Sequence, residues 1–187
     1  LLAAAVSTSA APIHALGDGD TSGFTSGGVD NYVRGWLFQA NANVNVVELG
    51  ASTPHLEGEA FSVLLWDFGT QSLLAQSDFI SDGTNNWQWA ALPSAVSLTS
   101  GKQYIVAVYS AIAHYYFQSL PSGSPWMPTG DIQYLDMRYA NNASVNTFPT
   151  NILNNYQYGV PDIGYQLDGQ VPEPSTLILV GLGLAAA

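Results

Sequence analysis

The chain of 187 residues contains no cysteine. That excludes a disulfide framework, a thiolate zinc site and a thiol nucleophile. Stability is left to packing, which a mature domain of about 150 residues can supply because it buries roughly two-thirds of its unfolded surface. Basic side chains are nearly as scarce: Lys and Arg number 3 against 14 Asp and Glu, a formal net charge of −11. Three cations cannot track a phosphate backbone, so no nucleic-acid partner is expected, and an anionic lipid surface would repel the chain. Charge of either sign makes up only 9% of the residues, where an ordinary soluble domain has about 25%. Helical periodicity is missing as well; away from the two ends, no stretch repeats its apolar residues at helical spacing.

The space left by charge is filled with neutral polar groups. Ser, Thr, Asn and Gln supply 51 residues, and 12% of the chain is aromatic, with five Trp and ten Tyr. Short runs of β-branched and aromatic residues alternate with turn clusters, the pattern of strands. The expected strands are Tyr32 to Gln39, Val44 to Leu49, Ala60 to Trp66, Leu73 to Ile80, Trp87 to Leu92, Val96 to Leu98, Gln103 to Tyr109, His114 to Gln118, Ile132 to Tyr139 and Ile163 to Leu167. Their spacing predicts an all-β fold: a single antiparallel β-sandwich, jelly-roll-like, over residues 32–168. Residues 16–31, rich in Gly and Asp, read as a flexible lead-in. Pro121 to Gly130, with three prolines, reads as a surface loop.

Both ends read as targeting segments. Leu1 to Val6 is apolar, and Ser7 to Ala11 is small and polar, as at the end of a secretory leader. Residues 1–15 are therefore expected to be a signal-peptide remnant. Thr8-Ser9-Ala10, Ser9-Ala10-Ala11 and Ile13-His14-Ala15 are the available cleavage triplets. At the other end, Val171-Pro172-Glu173-Pro174-Ser175-Thr176 fits neither a helix interior nor a central strand, because its two prolines remove backbone donors. Residues 169–176 form a stiff linker, and the wholly apolar 177–187 follows. A helix from Thr176 to Ala187 spans about 18 Å, short of the roughly 30 Å hydrocarbon core, so 177–187 reads as a truncated transmembrane helix.

This tail resembles the PEP-CTERM sorting signal of Gram-negative bacteria. Val171, Pro172, Glu173, Pro174, Ser175 and Thr176 match its box residue by residue, and Leu177 to Ala187 match the start of its apolar helix; its Arg-rich end has no counterpart here. The resemblance implies processing by an exosortase, export through the inner membrane, and delivery to the cell surface or the medium. Contact with the membrane is then limited to the C-terminal helix before processing. In that family such proteins accompany exopolysaccharide production and biofilm formation.

The middle resembles a domain of unknown function found in secreted bacterial proteins. The matching residues are Gly35-Trp36-Leu37-Phe38, Val47-Glu48-Leu49-Gly50, Val63-Leu64-Leu65-Trp66-Asp67, Leu73-Leu74-Ala75, Trp87 to Pro93, then Leu98, Gly101, Tyr104 and Val106, and finally Phe148-Pro149-Thr150. These are core and turn positions. The resemblance implies a fold and carries no chemistry.

A search for chemistry finds little that converges. His14, His55 and His114 have no Gly-x-Ser-x-Gly elbow to serve, and His55 reads as a loop residue. Glu57 and Glu59 flank a glycine in a loop, and Asp131 and Asp136, at opposite parity, would face opposite sides of one strand, so the protein is expected not to be an enzyme. Asp18, Asp20 and Ser22 alternate like the first half of a calcium loop, but Val29 stands where the closing Glu belongs. A solvated linker is the simpler reading, with calcium the only candidate cofactor. Trp87, Trp126, Tyr115 and Tyr116 are candidate platforms for a neutral sugar such as an exopolysaccharide unit. Trp87 and Trp89 share a strand face, and alternating aromatics more often fill a core; the core is the reading for Trp36, Trp66 and Trp89. The expectation is a non-enzymatic structural or adhesive protein of the extracellular matrix, the alternative a carbohydrate-binding module that uses calcium.

Overall fold

A computed structural model of the chain describes residues 10–17, 25–27, 31–111, 115–119, 128, 130–153, 156–158 and 160–169; in 25–27, 115–119, 156–158 and at 160 only the backbone is described. Every described element is a strand, and all pairings are antiparallel. One sheet is built from β3 (Tyr32–Ala40), β5 (Ala60–Asp67), β6 (Leu73–Ile80), β8 (Gln103–Ser110), β10 (Ile132–Asn141) and β11 (Asn151–Leu153), in the order β11-β10-β3-β8-β5-β6. The opposing sheet holds β1 (Ile13–His14), β4 (Val44–Ser52), β7 (Gln88–Leu98) and β13 (Val160–Leu167), ordered β1-β13-β4-β7. A third, small sheet joins β2 (Thr25–Gly27), β9 (Tyr115–Ser119) and β12 (Tyr156–Tyr158), ordered β12-β9-β2. Part of the expected lead-in is thus paired in a sheet. The expected C-terminal helix lies outside the described residues, and among those residues no helix is long and apolar enough to cross a membrane.

The two larger sheets close on a core that includes Trp36, Phe38, Leu49, Val63, Leu65, Val106 and Ile163. The Trp36 indole N–H donates to the Pro161 carbonyl at 2.8 Å, across the sandwich. The pair is buried, so it satisfies two polar groups that would otherwise cost free energy. The outer face of the six-stranded sheet is apolar as well: Val33, Leu37, Leu64, Trp66 and Ile105 form a second cluster. Residues 143–148 cover it, and Phe148 meets Trp66 edge-on at 5.7 Å. This double coverage explains why β3, β5 and β8 read as nearly continuous apolar runs, since strands buried on both faces lose their alternation.

One expected pair of strands is in fact a single strand. Residues 88–92 of the first and Val96 to Leu98 of the second belong to one strand, β7, which carries Pro93 within it. The proline is tolerated because β7 is the edge of its sheet, where a missing N–H leaves no ladder bond unmade. Pro93 also lies in a bulge of β7: only Val47 separates the paired Val46 and Glu48 on β4, whereas Leu92 to Ala95 separate their partners Ala91 and Val96.

Candidate functional site

The outer face of the four-stranded sheet is shaped by two glycines. On β4, Gly50 stands opposite Trp89 of β7, and Glu48 stands opposite Gly164 of β13. The Trp89 ring lies against Gly50 so closely that a Cβ there would come within 3.0 Å of Cε3, Cδ2 and Cζ3. A Cβ at Gly164 would collide with the Glu48 side chain in the same way. The glycines let one indole and one carboxylate lie down on the sheet.

Two further rings join Trp89. Trp87 stacks on it with centroids 5.5 Å apart and planes 16° from parallel. His14, from β1, stacks at 3.7 Å and 10°. The His14 Nε2 and Glu48 Oε1 are 2.6 Å apart, which fixes the imidazole against the indole. Both side chains remain about one-fifth exposed, and Trp87 and Trp89 are half-buried. Beneath this row the Asp162 carboxylate, fully buried, accepts the Leu16 amide at 2.9 Å and the Ile163 amide at 2.8 Å. The Ser52 hydroxyl donates to the Asn85 carbonyl at 2.9 Å. The arrangement offers the half-buried Trp87 indole and the edge of a ring stack beside an imidazole and a carboxylate, a combination of rigid contact area and directional polar atoms that suits a neutral polar ligand.

Trp89, expected in the core, therefore lies on the outer face. Its parity with Trp87 was legible, but which face of β7 met the core was not. Trp36 and Trp66 are in the two apolar clusters as expected. His14, assigned with the leader, and Glu48 are site residues that the sequence reading missed. Of the proposed sugar residues, Trp87 is in the row. Tyr115 and Tyr116 lie on β9, in the small sheet, with backbones paired to Gly27 and Ser26. Trp126, the calcium candidates Asp18, Asp20 and Ser22, and the sorting box Val171 to Thr176 fall outside the described residues.

His55, Glu59, Asp131 and Asp136 are held by partners of their own. His55 lies in a loop, as expected, and is buried there: Nδ1 lies 2.7 Å from Thr53 Oγ1 and Nε2 lies 2.8 Å from Ser110 Oγ. A serine–histidine contact with a threonine in place of the acid, sealed from solvent and stacked on Phe61 at 5.1 Å, ties a loop to the end of β8. Glu59 accepts the Leu56 amide at 2.8 Å. A bulge at Leu135 breaks the alternation assumed between Asp131 and Asp136. Asp136 pairs with Arg138 through both oxygens, at 2.6 and 3.0 Å. Asp131 accepts from Tyr165, whose hydroxyl is pushed up to about 12 by burial and by the Asp131 and Asp162 charges. Tyr134 is likewise raised to about 12, by burial and then by Asp136.

No curated protein matches the chain. Among solved structures, the infectious bursal disease virus VP2 subviral particle aligns at 11% identity and a TM-score of 0.23. The alignment covers 80% of this chain and 33% of that one. A family model for a PEP-CTERM protein-sorting motif matches residues 170–187, which marks an exosortase substrate exported across the inner membrane of a Gram-negative bacterium. A second family model covers residues 22–160, most of the chain and most of the sandwich just described. The chain belongs to the family described as "Domain of unknown function (DUF4082)".

Proposed function

We propose that this exosortase-sorted extracellular protein is a non-enzymatic adhesive component of the polysaccharide matrix, which it contacts through the Trp87–Trp89–His14 row. The observation that supports the reading is the row itself: two half-buried indoles on an outer sheet face, Trp89 seated against Gly50 and stacked with Trp87 and His14. A protein that needed these rings only for stability would gain more by burying them in a core. The low density of charge suits contact with a neutral, hydroxyl-rich polymer, because few strongly hydrated groups must be stripped of water.

The test is a titration of the purified protein with the host's exopolysaccharide, read by tryptophan fluorescence with and without calcium. A saturable shift is expected, and Trp87→Ala should weaken binding about tenfold, equivalent to ~1.4 kcal/mol, with the circular dichroism spectrum unchanged. A shift seen only with calcium would assign the ligand to the Asp18–Ser22 segment instead. No shift in either condition refutes the adhesive reading and leaves a structural matrix role.

A further inference from the structure

We infer that leader cleavage falls N-terminal to Pro12, at the Ala10–Ala11 bond, and not after Ala15. The inference rests on the reading of residues 1–15 as the end of a secretory leader. Of the three small-residue triplets, Ile13-His14-Ala15 would direct a cut that removes Ile13 and His14. Those residues are built into the sandwich. Ile13 and His14 form β1 and pair with Tyr165 and Gly164 at the edge of the four-stranded sheet. The Ala15 amide donates to the Ile163 carbonyl at 3.2 Å. Ala15 and Leu16 pack against the main core. His14 also closes the aromatic row, stacked on Trp89 and bonded to Glu48.

A cut after Ala15 would break this set together. The Glu48 carboxylate would lose its imidazole partner, one face of Trp89 would open to water, and β13 would become an uncovered edge strand, with the pairing liability such edges carry. Among the described residues, a cut at Ala10–Ala11 removes Ala10 alone and what it provides, including its carbonyl contact with Gln166 Nε2. The remaining bond in this window, Ala11–Pro12, is a tertiary amide and the poorer substrate. The geometry therefore makes Ala11 the mature N-terminus, with the segment 11–17 a working part of the sandwich.

The experiment is expression from the full reading frame in a Gram-negative host, followed by intact mass and N-terminal sequencing of the exported protein. A start at Ala11 supports the inference, and a start at Pro12 overturns the choice of bond while keeping β1 in the mature protein. A start at Leu16 overturns the inference while leaving the leader reading intact. Exported protein with residues 1–10 still attached overturns the leader reading itself. A second readout is independent of the processing enzyme: protein beginning at Leu16 should melt about 5–10 °C below protein beginning at Ala11, and His14→Ala in the longer form should account for part of the drop. Equal melting temperatures would overturn the claim that the segment belongs to the mature fold.

Discussion

Substituting Gly50 by alanine probes the outer-face row most directly. The backbone at Gly50 is not left-handed, so alanine is conformationally allowed there. In an open strand the change would stabilise by about 0.5–1 kcal/mol, since glycine loses more freedom on folding. Here the added methyl would sit within 3.0 Å of three Trp89 ring atoms. The ring cannot simply slide, because His14 stacks on it at 3.7 Å and Trp87 at 5.5 Å. Overpacking of this kind costs about 1–3 kcal/mol, so Gly50→Ala should destabilise the protein by roughly 1–2 kcal/mol net, a drop in melting temperature of about 2–8 °C for a domain of this size. Urea unfolding followed by circular dichroism measures the first quantity, and a red shift of tryptophan emission reports the displaced ring. The decisive control is the same substitution in a Trp89→Ala background. With the indole gone, Gly50→Ala should change sign and stabilise by about 0.5 kcal/mol. If it is neutral or stabilising while Trp89 is present, the ring does not lie against Gly50.

Two further substitutions and one titration extend the test. Phe148→Ala removes the ring that covers Trp66 and should cost about 2 kcal/mol, below the ~3–5 of a fully buried phenylalanine because Phe148 is only partly buried; a shift in urea midpoint checks it. Tyr134 and Tyr165 stay protonated in the folded state up to about 12. Unfolded tyrosines ionise near 10, so their contribution is complete below pH ~10 and is lost as the pH rises toward ~12. Stability should fall across that window, and Tyr165→Phe should flatten the fall; a pH series of urea midpoints with tyrosinate absorbance would show it.

The strands most legible in sequence were those whose neighbours leave no choice. Gln103–Ser110 and Ala60–Asp67 sit in the middle of the larger sheet with apolar clusters on both faces, so a dense β-branched and aromatic run had one interpretation. The sorting box was legible for a different reason: it is a contiguous run of residues, read directly from the sequence. Strand β7 was misdivided because Pro93 looks like a terminator until one knows that it lies on a sheet edge. The burial of His55 is not legible in its own loop, because Ser110, one of its two partners, is brought to it from the end of β8.

The site shows the same division. Sequence alone determined that Trp87 and Trp89 share a face, since side chains alternate along any strand. It also determined the all-β class, the scarcity of charge and the extracellular address. Only the tertiary structure decided which face of β7 turned outward, that Gly50 and Gly164 would make room for a ring and a carboxylate, and that His14 would return across more than thirty residues of chain to meet Glu48. Periodicity is a property of one strand and survives in the sequence. The choice of face, and the pairing of distant edges, come from which sheet each strand joins, a collective minimum of buried area that no single segment encodes.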